Sequence, residues 1–279
     1  MIKIITDSTA DFIKADAREL DIDVVPLTVT FGDEHFEDGE DLPVETFYEM
    51  LENAPKLPTT SQPSPEKFLT HFEAAKENGD TVICITLSSF ISGTYQSANI
   101  AKEVCGYENI YVIDSLAATL GLQILVRRGA ALRNDGVCAE EIVAVLNEAK
   151  EKIAVYAVVD DLKYLRKGGR LSGAAAVAGG LLGIKPVVEV AEGKVGVAGK
   201  ARGLPGAYVT IFKLIEANGG IDENYPVSLG YTGKRHGLEP FMRFVTQNLH
   251  MQKPLVSPIG AVIGTHAGPG ACGIAYFRK

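Results

Sequence analysis

Short apolar runs alternate with amphipathic segments through the first half of the chain. Four of these runs have the composition of strands: Ile2–Thr6, Asp23–Thr30, Thr81–Leu87 and Ile110–Asp114. Helical periodicity separates several of them. Because strands that alternate with helices usually return to one sheet in the same direction, this order predicts an α/β fold with a mostly parallel sheet and flanking helices.

Two prolines mark where helices begin in this half. One helix is predicted to open at Pro43 and another at Pro65, the latter behind Ser64 as its N-cap. Proline at the first helical position loses no hydrogen bond, because the first N–H groups of a helix have no partner within it. The segment Leu57–Pro63 between the two helices is rich in proline and hydroxyl groups, so it is predicted to be a shaped loop.

A change in pattern near residue 152 indicates a second lobe. An amphipathic helix pattern over Cys138–Lys152 ends there, and a strand pattern follows over Ile153–Val159. The chain has 279 residues, which is longer than the commonest domain size. We therefore predict two lobes, residues 1–152 and residues 153–279.

The second lobe is predicted to be α/β with a mixed sheet. Small residues over Leu171–Leu182 indicate a close-packed helix. The runs Ile184–Val190 and Lys194–Ala198 indicate a β-hairpin that turns at Glu192 and Gly193. The remaining elements are a strand and the two helices beside it, at Val227–Tyr231, Pro205–Ala217 and Leu238–Leu249.

Charge argues against nucleic acid as a partner. The formal net charge of -8 and the pI of about 5.2 work against binding to phosphate backbones at long range. The sequence has no convincing helix-turn-helix pattern. A transcriptional regulator therefore has little support, and no nucleic-acid partner is expected.

Hydropathy and cysteine spacing point to a cytoplasmic protein. Nowhere do ~18 apolar residues follow one another, so no stable membrane insertion is expected. The first residues, Met1–Asp7, run directly into a strand pattern without an export signal. The four cysteines contain no C-x-x-C pair, and we expect all of them to be reduced.

Three loops combine hydroxyl or imidazole donors with glycine or proline. They are Thr59–Ser64, Ser88–Tyr95 and Gly264–Gly270. The second loop follows an apolar strand and precedes a helix, which is where open α/β sheets bind ligands and where free N–H groups favour an anion. In the third loop, His266 is predicted to lie on a glycine-rich turn.

Taken singly, each of these residues has a simpler explanation. Ser92 or Thr94 could cap a helix, Thr60 could satisfy a turn, and His266 could be a buried histidine with its partners satisfied.

Other motifs do not support a function. The acidic segment Glu37–Asp41 lacks the spacing of an EF-hand and is predicted to be a solvated turn, so no metal site is expected. Gly268–Gly273 matches G-x-G-x-x-G, but too few residues follow it for a βαβ unit. Asp160 and Asp161 are predicted to cap the segment after them. The sequence has no G-x-S-x-G elbow, H-E-x-x-H pair or P-loop.

Five ordered motifs carry a resemblance to a known family. They are Ile5–Asp11, Thr60–Ser64, Ser88–Tyr95, Leu162–Leu165 with Gly168–Arg170, and Gly264–Gly270. Through these motifs the chain resembles the DegV family of bacterial fatty-acid-binding proteins over essentially its whole length.

The resemblance implies a bound long-chain fatty acid, such as palmitate, as the ligand and no other cofactor. The carboxylate of this ligand is expected to meet Thr60, Ser92, Gly93 and His266. The tail is expected to run into an apolar cavity of the C-terminal lobe. Hydroxyl and imidazole donors can hold a carboxylate without neutralising it in an arginine fork, so that one oxygen stays available to attack a phosphoryl group.

The resemblance also implies a partner. In that interpretation the protein is not an enzyme; it presents the fatty acid to a separate ATP-dependent fatty acid kinase, which forms an acyl phosphate. Arg170 and Arg202 would face the kinase or the phosphate, although both could equally be solvated surface arginines. The resemblance leads us to expect a strongly basic run after the hairpin, where this sequence has only Lys200 and Arg202.

An enzyme is the alternative. In that interpretation Ser92 is a nucleophile and His266 its base, in an acyl hydrolase or transferase. No elbow motif presents Ser92, and the sequence identifies no third group that would orient His266. Lipid binding is therefore the favoured hypothesis.

Overall fold

The computed structural model describes residues 1–172, 183–234, 237–249 and 253–279. The strands of these residues are β1 Ile2–Asp7, β2 Ile22–Val25, β3 Thr28–Phe31, β4 Glu34–Glu37, β5 Thr59–Ser61, β6 Thr81–Thr86, β7 Ile110–Asp114, β8 Ile153–Val158, β9 Ile184–Ala191, β10 Lys194–Arg202, β11 Ser228–Tyr231, β12 Leu255–Pro258 and β13 Cys272–Phe277. The helices are α1 Lys14–Glu19, α2 Val44–Asn53, α3 Pro65–Asn78, α4 Thr94–Cys105, α5 Leu120–Asn134, α6 Ala139–Ala149, α7 Lys163–Lys167, α8 Gly203–Ala217, α9 Leu238–Asn248 and α10 Ala261–Ala267.

Four strands of the first half form a parallel sheet in the order β2-β1-β6-β7. The α/β class and the parallel sheet were predicted and are confirmed. α3 begins at Pro65 with Ser64 at the N-cap position, but the Ser64 side chain makes no capping hydrogen bond. The predicted start of this helix at Pro65 is thus confirmed, but the prediction that Ser64 caps it is wrong.

The predicted strand Asp23–Thr30 is wrong as a single element. It divides at Pro26 and Leu27 into β2, which stays in the parallel sheet, and β3, which leaves it. Proline has no N–H to give to a sheet, so a ladder is readily interrupted there. β3 instead pairs antiparallel with β4 and β5, forming a three-stranded sheet that the sequence analysis did not predict.

A six-stranded mixed sheet is built from the second half in the order β10-β9-β8-β13-β11-β12. Its neighbours are antiparallel except for β11 and β12, which confirms the prediction of a mixed sheet. The predicted hairpin is β9 and β10, and its turn residues Glu192 and Gly193 have φ of +50° and +77°. The helix predicted over Leu171–Leu182 lies, from residue 173 onward, outside the described residues.

α5 lies between the parallel sheet and the six-stranded sheet. Its buried side chains share one apolar core with residues of β1 and β6 on one side and of β8 and β13 on the other. Gly121 permits the close approach, because a Cβ there would lie 2.6 Å from Val155 Cγ2. Within the described ranges, no helix has both the length and the apolar composition needed to cross a membrane.

Candidate functional site

The side chains of Thr60 and His266 meet although they are 206 residues apart in sequence. Thr60 Oγ1 lies 2.8 Å from His266 Nε2. Thr60 is the central residue of β5, and His266 lies in the last turn of α10. The prediction that His266 sits on a glycine-rich turn is therefore wrong, because the helix continues to Ala267 and the chain turns only at Gly268, with φ of +74°.

The imidazole of His266 is enclosed and neutral near pH 7. Its Nδ1 is buried and has no hydrogen-bond partner among the residues that the structure describes. A Cβ at Gly168 would lie 2.1 Å from that nitrogen, so glycine is required there to make room for the ring. Burial, and then the positive charge of Arg170, lower the pKa of His266 to about 4.

The predicted residues Ser92 and Gly93 lie in the turn that leads into α4. Gly93 is the N-cap of α4, and Ser92 Oγ lies 3.0 Å from Thr94 Oγ1. Gly93 packs against Gln62, since a Cβ at Gly93 would lie 2.0 Å from Gln62 Oε1. Because Gln62 directly follows β5, this contact brings the Ser92 turn beside the strand that carries Thr60.

Arg170 and Arg202 lie in different surroundings. Arg170 is partly buried in a cavity wall together with His266. Its Nη1 donates to Gly168 O at 2.6 Å, and its Nε lies 3.4 Å from Ile91 O, next to Ser92 in sequence. Arg202 is exposed at the end of β10, where α8 begins. We use the name polar cluster for Thr60, Ser92, Gly93, Arg170 and His266.

An apolar cavity of about 120 Å³ lies beside the polar cluster, and the members of the cluster that line it are Arg170 and His266. Glu189 and two threonines also line it; Thr119 donates its hydroxyl to Asp11, and Thr232 Oγ1 accepts from Ala271 N. The apolar walls come from the six-stranded sheet, α7 and α10, and include Val155, Val159, Leu165, Val188, Val195 and Ile263.

The cavity follows α10, a helix about 10 Å long. His266 and Arg170 line it at the carboxyl end of that helix, and Leu120, Gly230 and Ile259 line it at the amino end. A Cβ at Gly230 would lie 2.6 Å from Ile259 Cδ1, so the far end is tightly packed with apolar atoms. A ligand with one polar end and one apolar end matches this arrangement.

Ser92 and His266, the two residues of the enzyme alternative, contact different side chains. Within the described part of the chain, no hydrogen bond joins Ser92 to His266; Ser92 contacts Thr94, and His266 Nε2 contacts Thr60. Cys272 lines the cavity, but burial raises the pKa of its thiol to about 12, which keeps it protonated and unreactive.

Three carboxylates that the local sequence did not predict to be buried are those of Asp7, Asp11 and Asp38, and the last two accept hydrogen bonds at the amino end of α10. Burial raises the pKa of Asp7 and of Asp38 to about 6, and it raises that of Asp11 well above its ordinary value. The prediction of a solvated turn is wrong for Asp38, which is 3 % exposed and accepts a hydrogen bond from Ala261 N. Among the described residues, no group of three or more His, Cys, Asp or Glu side chains is arranged to hold a metal ion.

Comparison with known proteins extends over the whole chain. A family model described as "Uncharacterised protein, DegV family" matches residues 1–279. A DegV domain-containing protein of Caldanaerobacter subterraneus subsp. tengcongensis is 38% identical, with 100% of this chain and 99% of the relative covered. A second, from Clostridium perfringens, is 34% identical with the same coverage.

Solved structures of fatty-acid-binding proteins have the same fold. A DegV family protein from Thermus thermophilus, described by its fatty acid binding, has a TM-score of 0.90 and 32% identity. A stearic acid-binding protein from Eubacterium ventriosum has a TM-score of 0.92 and 30% identity. DegV of Bacillus subtilis, described as a fatty acid binding protein, has a TM-score of 0.86 and 32% identity. In each case 100% of this chain and 99% of the solved chain are covered.

Proposed function

The chain belongs to the DegV family, and we propose that it binds a long-chain fatty acid with the carboxylate at the polar cluster and the tail in the apolar cavity. The observation that carries this proposal is the polarity of the cavity along α10, with His266 and Arg170 at one end and packed apolar side chains at the other. Fatty acid binding by the Thermus, Eubacterium and Bacillus family members supports the same ligand class.

The Thr60 and His266 pair can hold a carboxylate without a full positive charge. With the ring hydrogen on Nε2, His266 donates to Thr60 Oγ1, and the Thr60 hydroxyl hydrogen is then free for the ligand. The Ser92 hydroxyl supplies a second donor from the turn before α4. Arg170 adds a positive charge nearby, which favours an anion at this end of the cavity.

Mass spectrometry tests the ligand class directly. We expect the purified protein to carry a fatty acid that is released by denaturing extraction. After delipidation it should take up palmitate or oleate and bind methyl palmitate less tightly, because the ester has no anionic head for the polar cluster. A preparation that contains no fatty acid and takes up neither acid would contradict the proposal.

Removal of a single hydroxyl should weaken fatty acid binding moderately. A hydrogen bond to a charged group contributes about 1.5 to 3 kcal/mol, so Thr60→Val or Ser92→Ala should lower palmitate affinity about 10- to 100-fold. Thr70→Val is the matched control, because the Thr70 hydroxyl donates to Glu66 O on the exposed face of α3. Calorimetric or fluorescence titration measures the affinities. Equal loss in Thr70→Val would show that the effect is not specific to the polar cluster.

We further propose that the protein presents its fatty acid to an ATP-dependent fatty acid kinase. Arg202 is the better candidate for the contact with that partner, since it is exposed and outside the cavity wall. Arg170 is a candidate for contact with both the carboxylate and the phosphoryl group. Its guanidinium is beside His266, and a phosphoryl group added to the carboxylate would lie within the polar cluster.

The two arginines should separate binding from acyl transfer. Arg202→Ala should leave palmitate affinity unchanged and reduce acyl phosphate formation with the kinase, measured as hydroxamate. Arg170→Ala should reduce both, because it removes a charge beside the carboxylate. Arg243→Ala, which changes an exposed arginine on α9, serves as the control. Full acyl phosphate yield from Arg202→Ala would contradict its assignment to the kinase contact.

The hydrolase or transferase alternative is tested by incubation with p-nitrophenyl palmitate. We expect no release of nitrophenol above a Ser92→Ala control, since Ser92 and His266 each contact another side chain. Stoichiometric release that depends on Ser92 would favour the enzyme.

A further inference from the structure

Two buried carboxylates hold the amino end of the helix that carries His266. Asp11 Oδ1 accepts a hydrogen bond from Gly260 N at 2.8 Å, and Asp38 Oδ1 accepts one from Ala261 N at 2.8 Å. The two aspartates are 5 % and 3 % exposed. They precede their partners by 249 and 223 residues, so these are contacts of the tertiary fold and not local caps.

α10 depends on such contacts for its position. Its seven residues form a helix too short to be stable alone. The first N–H groups of a helix have no partner within it, and carboxylates at that end interact favourably with the helix dipole. At the other end, the side chain of His266 has its hydrogen bond with Thr60. The hydrogen bonds at the amino end therefore help to set the position of His266 along the helix axis.

Asp11 also ties α10 to the opposite cavity wall. Its Oδ2 accepts from Thr119 Oγ1 at 2.6 Å, and its backbone oxygen accepts from Gln123 Nε2 at 2.9 Å. Thr119 lines the cavity with φ of +50°, a conformation that is costly for a β-branched residue and needs such support. One carboxylate thus joins the beginnings of α5 and α10, both of which bound the cavity.

We infer that Asp11 and Asp38 are positioning residues, which hold α10 so that His266 remains in register with Thr60 at the carboxylate site. The inference rests on the proposed function. Burial raises the pKa of both aspartates, so the charged form of each is held in the fold at a cost in stability. Gly260 fits closely between them, because a Cβ there would lie 3.0 Å from Asp11 Oδ1 and 3.1 Å from Asp38 Oδ1.

The test compares palmitate with hexadecanol, which has the same tail and no carboxylate. In Asp38→Ala, the ratio of palmitate affinity to hexadecanol affinity should fall about tenfold, the lower end of the effect of one charged hydrogen bond. Asp38→Asn should lose less, because its amide oxygen can still accept from Ala261 N. Gly260→Ala should lower the ratio as well, since it displaces α10 without changing any charge.

Asp7→Asn is the matched control. Asp7 is also a buried aspartate with a raised pKa, but it accepts from Thr9 and from Leu87 N, not from α10. Its variant should leave the ratio unchanged. A purely structural role for Asp38 would weaken both ligands equally, and an unchanged ratio in Asp38→Ala and Gly260→Ala would overturn the inference.

A second measurement follows His266 itself. Its imidazole resonance, assigned by its loss in His266→Gln, should titrate near pH 4 in the ligand-free wild type. In Asp38→Ala and Gly260→Ala the titration should move toward the ordinary histidine value, as the ring leaves its buried place beside Arg170 and Thr60. A midpoint that stays near 4 in both variants would overturn the inference. If the wild type binds neither ligand, the proposed function is wrong, and this titration still decides whether the carboxylates position His266.

Discussion

Saturated fatty acids of increasing length should bind this protein more tightly by about 0.8 kcal/mol for each methylene that the cavity encloses. Four enclosed methylenes then contribute ~3 kcal/mol, so lengthening an acid by four carbons within the cavity should tighten binding about 200-fold. The reason is the composition of the walls: Val155, Val159, Leu165 and Val188 offer the tail an apolar surface in exchange for water. The test is a titration series on the delipidated protein, with every ligand below its micelle concentration.

The size of the cavity predicts the chain length beyond which each added carbon contributes less binding free energy. A cavity of about 120 Å³ is smaller than the tail of palmitate. We therefore expect the full increment for the carbons that the cavity already encloses and a smaller one beyond, where side chains in the wall must move to admit the tail.

A cavity-filling variant provides the control. Ala157→Leu places three more carbons at the wall, so the change of slope should move to a shorter chain while octanoate affinity changes little. If affinity does not depend on chain length and is abolished by Thr60→Val alone, then the head group dominates and the assignment of the tail to this cavity is wrong.

The parallel sheet could be predicted because its signal is local. Each of its strands is a short apolar run, and the run alone specifies burial in such a sheet. The three-stranded sheet was missed for a related reason: Asp23–Thr30 has continuous strand character, and only Pro26 within it indicates that the chain changes sheet. The partners of β3 are then decided by packing that no local pattern contains.

The carboxylate site of Thr60, Ser92, Gly93 and His266 stays a prediction, and its geometry could not be read from the sequence. Thr60, Ser92 and His266 were chosen as donors in loops with glycine or proline, and the structure brings Thr60 into hydrogen-bond contact with His266. That α10 extends through His266 was not evident, because Gly264 and Gly268 on either side resemble a turn. Gly264 is in fact helical, where a Cβ would lie 2.6 Å from both Phe47 Cε1 and Tyr48 Oη.

The buried carboxylates show the limit of local inference most clearly. Asp38 lies in the acidic run Glu37–Asp41, and charge runs are usually solvated. Its burial depends on Ala261, which is 223 residues away, so no window of sequence around Asp38 contains the reason. The burial of Asp11 is likewise not evident from its neighbours in sequence, since its partners Thr119 and Gly260 come from two other parts of the chain.

These carboxylates should make the ligand-free protein more stable at pH 5 than at pH 7. The pKa of Asp7 and of Asp38 is about 6 in the folded protein and 3.8 without burial. Between these values the folded state binds protons that the unfolded state does not, so the free energy of unfolding rises as pH falls. Each of the two groups contributes about 3 kcal/mol over the whole window, and Asp11 acts in the same direction.

His266 opposes this trend. Its pKa is about 4 when folded and 6.5 when exposed, so below pH 6.5 the unfolded state takes up a proton that the folded state refuses. Stability from this group is therefore lost as pH falls from 6.5 to 4.

Two variants separate the contributions in urea unfolding at pH 5, 6 and 7. His266→Gln should steepen the rise toward pH 5, and Asp38→Asn should flatten it by about 1.4 kcal/mol per pH unit below pH 6. A free energy of unfolding that falls steadily from pH 7 to pH 5 in His266→Gln would show that burial does not raise the pKa of Asp7 and Asp38.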